Sequence, residues 1–232
     1  MNYAIIAAGE GSRLVQEGIR VPKPLVELEG IPLIDRLIAI FSQNNAESIS
    51  IIINEEMTEV REHLKQKRFS FPFNLIIQST PSSMHSFFAL SSFLKVGKFC
   101  LTTVDTIFKE EEFAKFIHCF EQDMECDGIM AVTAFVDDEK PLYIAVDEET
   151  KLIKGFYDSK QERTNYVSGG IYGLTFKAIP ILDTCLKKKI SRMRNYQRQL
   201  INEGLQLKAY PFDKIIDVDH AEDIKKAEEF IK

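Results

Sequence analysis

Short apolar runs alternate with longer amphipathic ones over the first half of the chain, and this alternation restricts the fold more than any other feature. Apolar stretches at 3–7, 49–53, 74–78 and 98–104 read as strands. Between them, apolar residues recur at helical spacing over 32–44, 56–67, 84–95 and 109–122. Ile34, Leu37, Ile38 and Phe41 share one helical face, with Pro32 suited to the first turn. Phe87, Leu90 and Leu94 share another. Strand–helix alternation of this kind is built from βαβ units and makes a mainly parallel sheet. After residue 127 the pattern changes. Strand-like runs at 128–136, 142–147, 151–157 and 166–174 follow one another with little helix, which predicts a small antiparallel sub-sheet. Helices at about 176–189 and 192–203, strands near 206–211 and 215–218, and a helix at 220–231 complete the pattern. The expected class is α/β: a Rossmann-like three-layer sandwich with a mostly parallel mixed central sheet. Without repeats or a linker rich in Gly, Pro or Ser, residues 1–232 read as one domain with halves at 1–122 and 123–232.

Composition narrows the function classes. A formal charge of −6 argues against a general polyanion binder, because nucleic-acid domains carry a basic face, but phosphate ligands need only a few placed cations. No apolar run approaches the roughly 20 residues of a membrane-spanning helix. Met1-Asn2-Tyr3-Ala4-Ile5-Ile6 has no basic n-region and reads as a first strand rather than a signal peptide. Cys100, Cys119, Cys126 and Cys185 lack metal-type spacing and read as reduced thiols, so the expected location is the cytoplasm.

The chemistry concentrates in Ala7-Ala8-Gly9-Glu10-Gly11-Ser12-Arg13-Leu14 and the following Pro22-Lys23-Pro24-Leu25, directly after the first strand. Ligands of open α/β sheets bind beyond the carboxyl ends of strands. Gly9 and Gly11 allow a sharp bend that brings N–H groups near phosphate oxygens, and Arg13 and Lys23 add two cations to the rim. No Gly-Lys-Ser/Thr closes the loop, so it is not a Walker A motif; a dinucleotide fingerprint would need a third glycine and a helix starting inside the loop. Gly-x-Gly alone is equally the mark of a plain turn.

The longer pattern, Ala-Ala-Gly-x-Gly-Ser-Arg-Leu followed by Pro-Lys-Pro-Leu, resembles the signature of the nucleoside-diphosphate-sugar pyrophosphorylases and related sugar-phosphate nucleotidyltransferases. The resemblance implies that Ala7, Ala8, Gly9, Gly11, Ser12 and Arg13 wrap a nucleoside triphosphate, that Arg13 contacts the leaving pyrophosphate, and that Lys23 contacts phosphates at the reacting centre. It implies a Mg²⁺ site on Asp105, at a strand end, and on Asp219 of the closing Asp217-Val218-Asp219 segment, with Asp217 beside it as a further candidate ligand. Each has an ordinary structural reading as well: Asp105 as a turn or N-cap residue, and Asp219 with Glu222 as a capping box for the last helix. Gln78 and the Ser82-Ser83 turn stand where relatives receive the nucleobase, although many carry Gly-Thr or Gly there. His85 reads as an exposed histidine at a helix start. Asp158 and Lys160 resemble the family's acceptor-holding acidic residue and lysine. Ser168 to Tyr172 resembles its Asn-x-Gly-Ile-Tyr strand, with Ser168 replacing the asparagine and Gly170 retained; a strand bend under close packing would also explain the glycines.

The expected activity is transfer of a nucleoside monophosphate from a triphosphate to a phosphorylated small molecule, with a sugar 1-phosphate preferred as acceptor. The alternative is a cytidylyltransferase acting on a phosphorylated alcohol such as phosphocholine, whose quaternary ammonium would need an aromatic cage, with Tyr143, Phe156, Tyr157 and Tyr172 as candidates. A glycosyltransferase would carry Asp-x-Asp where this chain has Asp105-Thr106-Ile107, and a non-catalytic nucleotide sensor would tolerate loss of the reactive residues. Partners are small molecules, with neither nucleic acid nor membrane, and a homo-oligomer is compatible with the sequence. The basic run from Lys187 through Arg192, Arg194 and Arg198 reads most simply as a solvated helical face.

Overall fold

The apolar runs become strands and the periodic stretches become helices, in the order anticipated. A computed structural model describes residues 1–232. The first half runs β1 (Asn2–Ala7), α1 (Ser12–Gln16), β2 (Glu27–Leu28), β3 (Ile31–Pro32), α2 (Leu33–Gln43), β4 (Ser48–Ile53), α3 (Thr58–Lys65), β5 (Phe73–Ile77), α4 (Ser83–Leu90), β6 (Lys98–Thr103), β7 (Thr106–Ile107) and α5 (Glu110–Gln122). The second half follows as β8 (Gly128–Thr133), β9 (Tyr143–Val146), β10 (Ile153–Tyr157), β11 (Tyr166–Thr175), α6 (Ile179–Lys187), α7 (Met193–Asn202), β12 (Leu207–Phe212), β13 (Ile216–Asp217) and α8 (Ala221–Ile231).

Nine strands form one mixed sheet in the order β10-β9-β11-β6-β1-β4-β5, with β8 beside β11 and β12 beside β8. The β6-β1-β4-β5 block is parallel, as the βαβ pattern requires. Strand β11 runs antiparallel to β6, β8 and β9 and joins the antiparallel part to the parallel part, so the later strands extend the same sheet. Two ribbons, β2-β3 and β7-β13, lie apart from it.

Side chains alternate across β1 with the period of two that a strand imposes. Tyr3, Ile5 and Ala7 pack under α2, α3, α5 and α8, while Ala4 and Ile6 face α4, α6 and α7. The first layer holds an aromatic stack, Tyr3–Phe41 at 4.3 Å and Phe41–Phe113 at 5.5 Å between ring centroids. In α2 the predicted stripe Ile34, Leu37, Ile38 and Phe41 is buried. Each such side chain contributes about 1.5–3 kcal/mol on leaving water, so this one helix face anchors the layer. No helix is long and apolar enough to cross a membrane.

The local corrections are small and cluster at the site. A short helix, α1, does start inside the glycine loop, capped by Gly11 in the left-handed region (φ 62°, ψ 31°). Strand β13 falls within the stretch anticipated near 215–218, whereas β2, β3 and β7 are too short to leave a periodic trace in sequence.

Candidate active site

The carboxyl ends of β1, β4 and β6 open into one cleft of about 780 Å³, lined by Ala8, Gly9, Gly11, Ser12, Arg13, Lys23, Ser83, Asp105 and Asp219 among others. The N–H groups of Ala8, Gly9, Glu10 and Gly11 are not spent on other backbone groups. A row of free donors bending around a cavity is a natural seat for phosphate oxygens. Gly11 is needed for a second reason: a Cβ there would lie 3.1 Å from Cβ of Lys23. Gly9 has open space around it, so its value lies in what can approach it, not in the bend.

Lys23 is held by local stiffness. Pro22 and Pro24 fix φ on both sides, and a 3₁₀ turn at Lys23–Leu25 closes with Leu25 N–H donating to Pro22 O at 2.8 Å. Only 7% of Lys23 is exposed, and its ammonium donates to Oδ2 of Asp105 and to Oδ1 of Asp219, the latter at 2.6 Å. Burial alone would lower the Lys23 pKa, but the charges of Asp105 and Asp219 outweigh it and raise it. Arg13 Nη1 donates to the other oxygen of Asp219 at 3.0 Å, and its Nη2 lies 3.4 Å from Glu139.

Residues more than a hundred positions apart meet here because of the small ribbon. Asp217 pairs with Thr106 in the β7-β13 register, and Val218 N–H donates to Asp105 O at 3.0 Å. This pairing stitches the Asp105 turn to the Asp217-Val218-Asp219 segment. The expected capping box does not form on Asp219. The cap of α8 is His220, and Oδ2 of Asp223 accepts from the N–H groups of His220 (2.8 Å) and Asp219 (3.2 Å). A shift of one residue leaves the Asp219 carboxylate free to hold cations. Asp217 is pushed well above the usual carboxylate range, by burial and then by the charges of Asp105 and Asp219. Its side chain lines two pockets beside the cleft.

Other anticipated residues fall around this centre. Ala7 lies buried in β1 beneath the loop. Gln78 follows β5, donates its N–H to Ile53 O at 2.9 Å, and is exposed outside the cleft lining. Ser82 and Ser83 line the wall, and Ser82 Oγ bonds His85 Nδ1 at 2.8 Å, which gives that histidine a partner at the start of α4. The same wall carries Asn54, whose Oδ1 accepts from Glu56 N–H and Ser79 Oγ, both at 3.0 Å. Nothing in the sequence marks Asn54 and Ser79, because polar residues just past strand ends look like ordinary turns, or Thr103, which reads as part of strand β6.

Ser168, Gly170, Tyr172, Asp217 and Thr103 line a neighbouring pocket together with Arg192, Arg194 and Gln197. Gly170 has φ 73° and would place a Cβ 3.1 Å from Thr106 Oγ1, so the bend of β11 needs a glycine there. Ser168 Oγ donates to Gln197 Oε1 at 3.3 Å. Asp158 and Lys160 lie farther out, in a groove with Lys140, Tyr143, Arg192, Arg194 and Arg198. Asp158 is bound by Arg194 (2.7 Å) and Arg198 (2.8 Å), which hold its carboxyl below the usual range. The basic stretch is therefore a wall of the groove and not only a solvated face. Arg192, capping α7, adopts φ 71° and ψ 140°, a region that costs a residue with a side chain on the order of 1–3 kcal/mol. The four aromatics do not converge. Tyr143 pairs with Tyr157 across β9-β10, Phe156 points into the core on the opposite face, and Tyr172 lines the inner pocket.

Comparison with known proteins agrees with this geometry. A family model described as the MobA-like NTP transferase domain matches residues 3–164. The bifunctional protein GlmU of Thermodesulfovibrio yellowstonii is 24% identical over 224 residues, covering 91% of this chain and 47% of that protein. The bifunctional IPC transferase and DIPP synthase of Archaeoglobus fulgidus is 24% identical over 237 residues, covering 98% of this chain and 43% of that protein. The chain thus spans about half the length of the curated relatives it matches. The structure of the inositol-1-phosphate CTP transferase from T. maritima superposes with a TM-score of 0.81 at 18% identity, over 100% of this chain and 97% of that one, and so shares its fold.

Proposed function

Because this chain belongs to the family of MobA-like NTP transferase domains, we propose that it transfers a nucleoside monophosphate from a nucleoside triphosphate to a phosphorylated small molecule, preferably a sugar 1-phosphate, with release of pyrophosphate. One observation carries the reading: Asp105 and Asp219 both aim an oxygen at a single cationic point, now the Lys23 ammonium, at the rim of a loop with free N–H donors.

The donor set fits Mg²⁺, which takes oxygen ligands and is commonly held by one or two carboxylates plus substrate phosphates. Asp105 and Asp219 would hold it, with Asp217 beside them. When bound, Mg²⁺ would neutralise phosphate charge and help align the two substrates.

In the proposed reaction an oxygen of the acceptor phosphate attacks the α-phosphorus in line. The bond from that phosphorus to the bridging oxygen breaks, and pyrophosphate leaves with the bonding electrons. A phosphate monoester has a second pKa near 6, so it arrives largely as the dianion and needs no general base. Catalysis is then positioning and charge neutralisation. The N–H groups of Ala8, Gly9, Glu10 and Gly11, with Ser12, would bind the triphosphate. Arg13, half exposed and able to swing from Asp219, would neutralise pyrophosphate, and Lys23 would offset charge at the α-phosphate. Ser83 would meet the base, and Lys160, Ser168 and Gly170 the acceptor, while Asp158 acts through the arginines it clamps; Gln78, outside the cleft lining, takes no part in this reading. The four unpaired cysteines support a reducing, cytoplasmic setting.

A matrix of nucleoside triphosphates against phosphorylated acceptors, read by pyrophosphate release, tests the reading. Release with at least one pair is expected; silence across the matrix with a folded, pure protein would overturn it.

A further inference from the structure

The outer groove is polarised in a way that the proposed transfer alone does not require. It is lined by five cationic side chains, Lys140, Lys160, Arg192, Arg194 and Arg198, against two carboxylates, in a chain whose formal charge is −6. Both carboxylates are engaged: Asp158 by Arg194 and Arg198, and Glu139 by Arg13 and His220. Lys140, Lys160 and Arg192 are left without an ion pair. The backbone of Lys140 is nonetheless fixed. Arg194 Nη2 donates to Lys140 O at 2.8 Å, and Lys140 N–H donates to Asp138 Oδ1 at 2.8 Å.

The cations divide by depth. Arg192 and Arg194 line both this groove and the inner pocket that contains Asp217, Thr103 and Ser83, so they join the two. Lys140 and Lys160 line only the outer groove. An acceptor with its phosphate at the inner end and its body in the groove would therefore bring its far end to two unpaired ammonium groups. A quaternary ammonium there would be repelled. A neutral hydroxyl would leave both lysines without a counter-charge. From this separation we propose that the natural acceptor carries a second anionic group, a carboxylate or a second phosphate, remote from the reacting phosphate and held by Lys140 and Lys160. The assignment rests on the nucleotidyltransferase reading above.

The test uses the whole chain and acceptors matched except for the remote group: glucose 1-phosphate, glucuronic acid 1-phosphate, glucose 1,6-bisphosphate and phosphocholine. Pyrophosphate release is measured as kcat/KM, and equilibrium binding of each acceptor is measured separately by calorimetry. An anionic acceptor is expected to exceed glucose 1-phosphate on the order of tenfold in both measurements, as two charge-assisted contacts would give. The double variant Lys140→Gln/Lys160→Gln should bring that ratio close to one, and salt near 0.5 M should shrink it because the groove is open to water. Both lysines are exposed, so the variant is expected to fold; Lys140→Glu, inverting the preference, is the control on charge. Equal or better use of glucose 1-phosphate or phosphocholine by the wild type, or a ratio unchanged in the double variant, overturns the inference and leaves the transferase reading intact. Preferential binding of the anionic acceptors with no turnover on any triphosphate supports the inference for the groove and overturns the transferase reading instead.

Discussion

Lys23 is the residue on which the site balances. A buried ammonium is costly unless paired, and two carboxylates from distant segments supply that pairing. Replacing Asp105 by Asn keeps the shape and removes the charge. Pyrophosphate release by Asp105→Asn is expected to fall by on the order of 10²–10³-fold, the scale of losing one fixed electrostatic contact to the reacting group, with an unchanged far-UV circular dichroism spectrum. Wild-type turnover at saturating magnesium would remove Asp105 from its proposed role. Much at this scale was readable in advance. Arg13, Lys23, Asp105 and Asp219 stand out through the resemblance to the sugar-phosphate nucleotidyltransferases, and the fold brings all four to one cleft. Asn54 and Ser79 do not stand out, since a polar residue after a strand looks the same whether it faces solvent or a cleft. The cap of α8 was misread by one residue because Asp219–Glu222 and His220–Asp223 have the same spacing, and only the backbone decides which pair closes the box.

At the scale of elements, two joints hold the second half to the first. One is the bend of β11 at Gly170, where φ is 73° and a Cβ would lie 3.1 Å from Thr106 Oγ1. Gly170→Ala is expected to destabilise the chain by more than about 1 kcal/mol, measured as a lowered urea midpoint, because a side chain meets backbone strain and a tight contact there. The other joint is Asp123, which follows α5 and pairs with Lys208 of β12 at 2.6 Å while accepting from the N–H groups of Glu125 and Cys126, both at 2.9 Å. Burial alone would raise its pKa, but these bonds outweigh it and depress it far below the ordinary carboxylate value. A depressed carboxylate contributes stability that is present above its unfolded pKa of about 4 and lost as pH falls through the folded value. Asp123→Asn should therefore be less stable than wild type by about 1–3 kcal/mol at pH 7, and the gap should narrow only below about pH 4. Denaturant titrations of both proteins at pH 7 and pH 3 check the sign. A gap that widened at low pH would refute it.

For the molecule as a whole, the site is a meeting of the three strand ends of a parallel block with one short ribbon, and ligand binding should be felt globally. Nucleoside triphosphate with Mg²⁺ is expected to raise the melting temperature of the wild type by several degrees, by mass action on the folded state, and to do so far less in Asp105→Asn. Differential scanning fluorimetry across the triphosphates would rank the bases at the same time. What the amino-acid sequence by itself determined was whatever depends on neighbours in the chain: the periodicity that makes β1 and α2, the bend at Gly11, the stiff turn that presents Lys23, and hence the glycine loop and the α/β class. What only the tertiary structure decided was whatever depends on distant segments meeting. The β7-β13 ribbon brings Asp219 to Asp105, and β11 carries Gly170 under Thr106. The turn after β10 and the start of α7 fold together so that a run of basic residues becomes the wall of the outer groove. Local spacing records how a chain turns, but charges become a site only when packing removes the water between them.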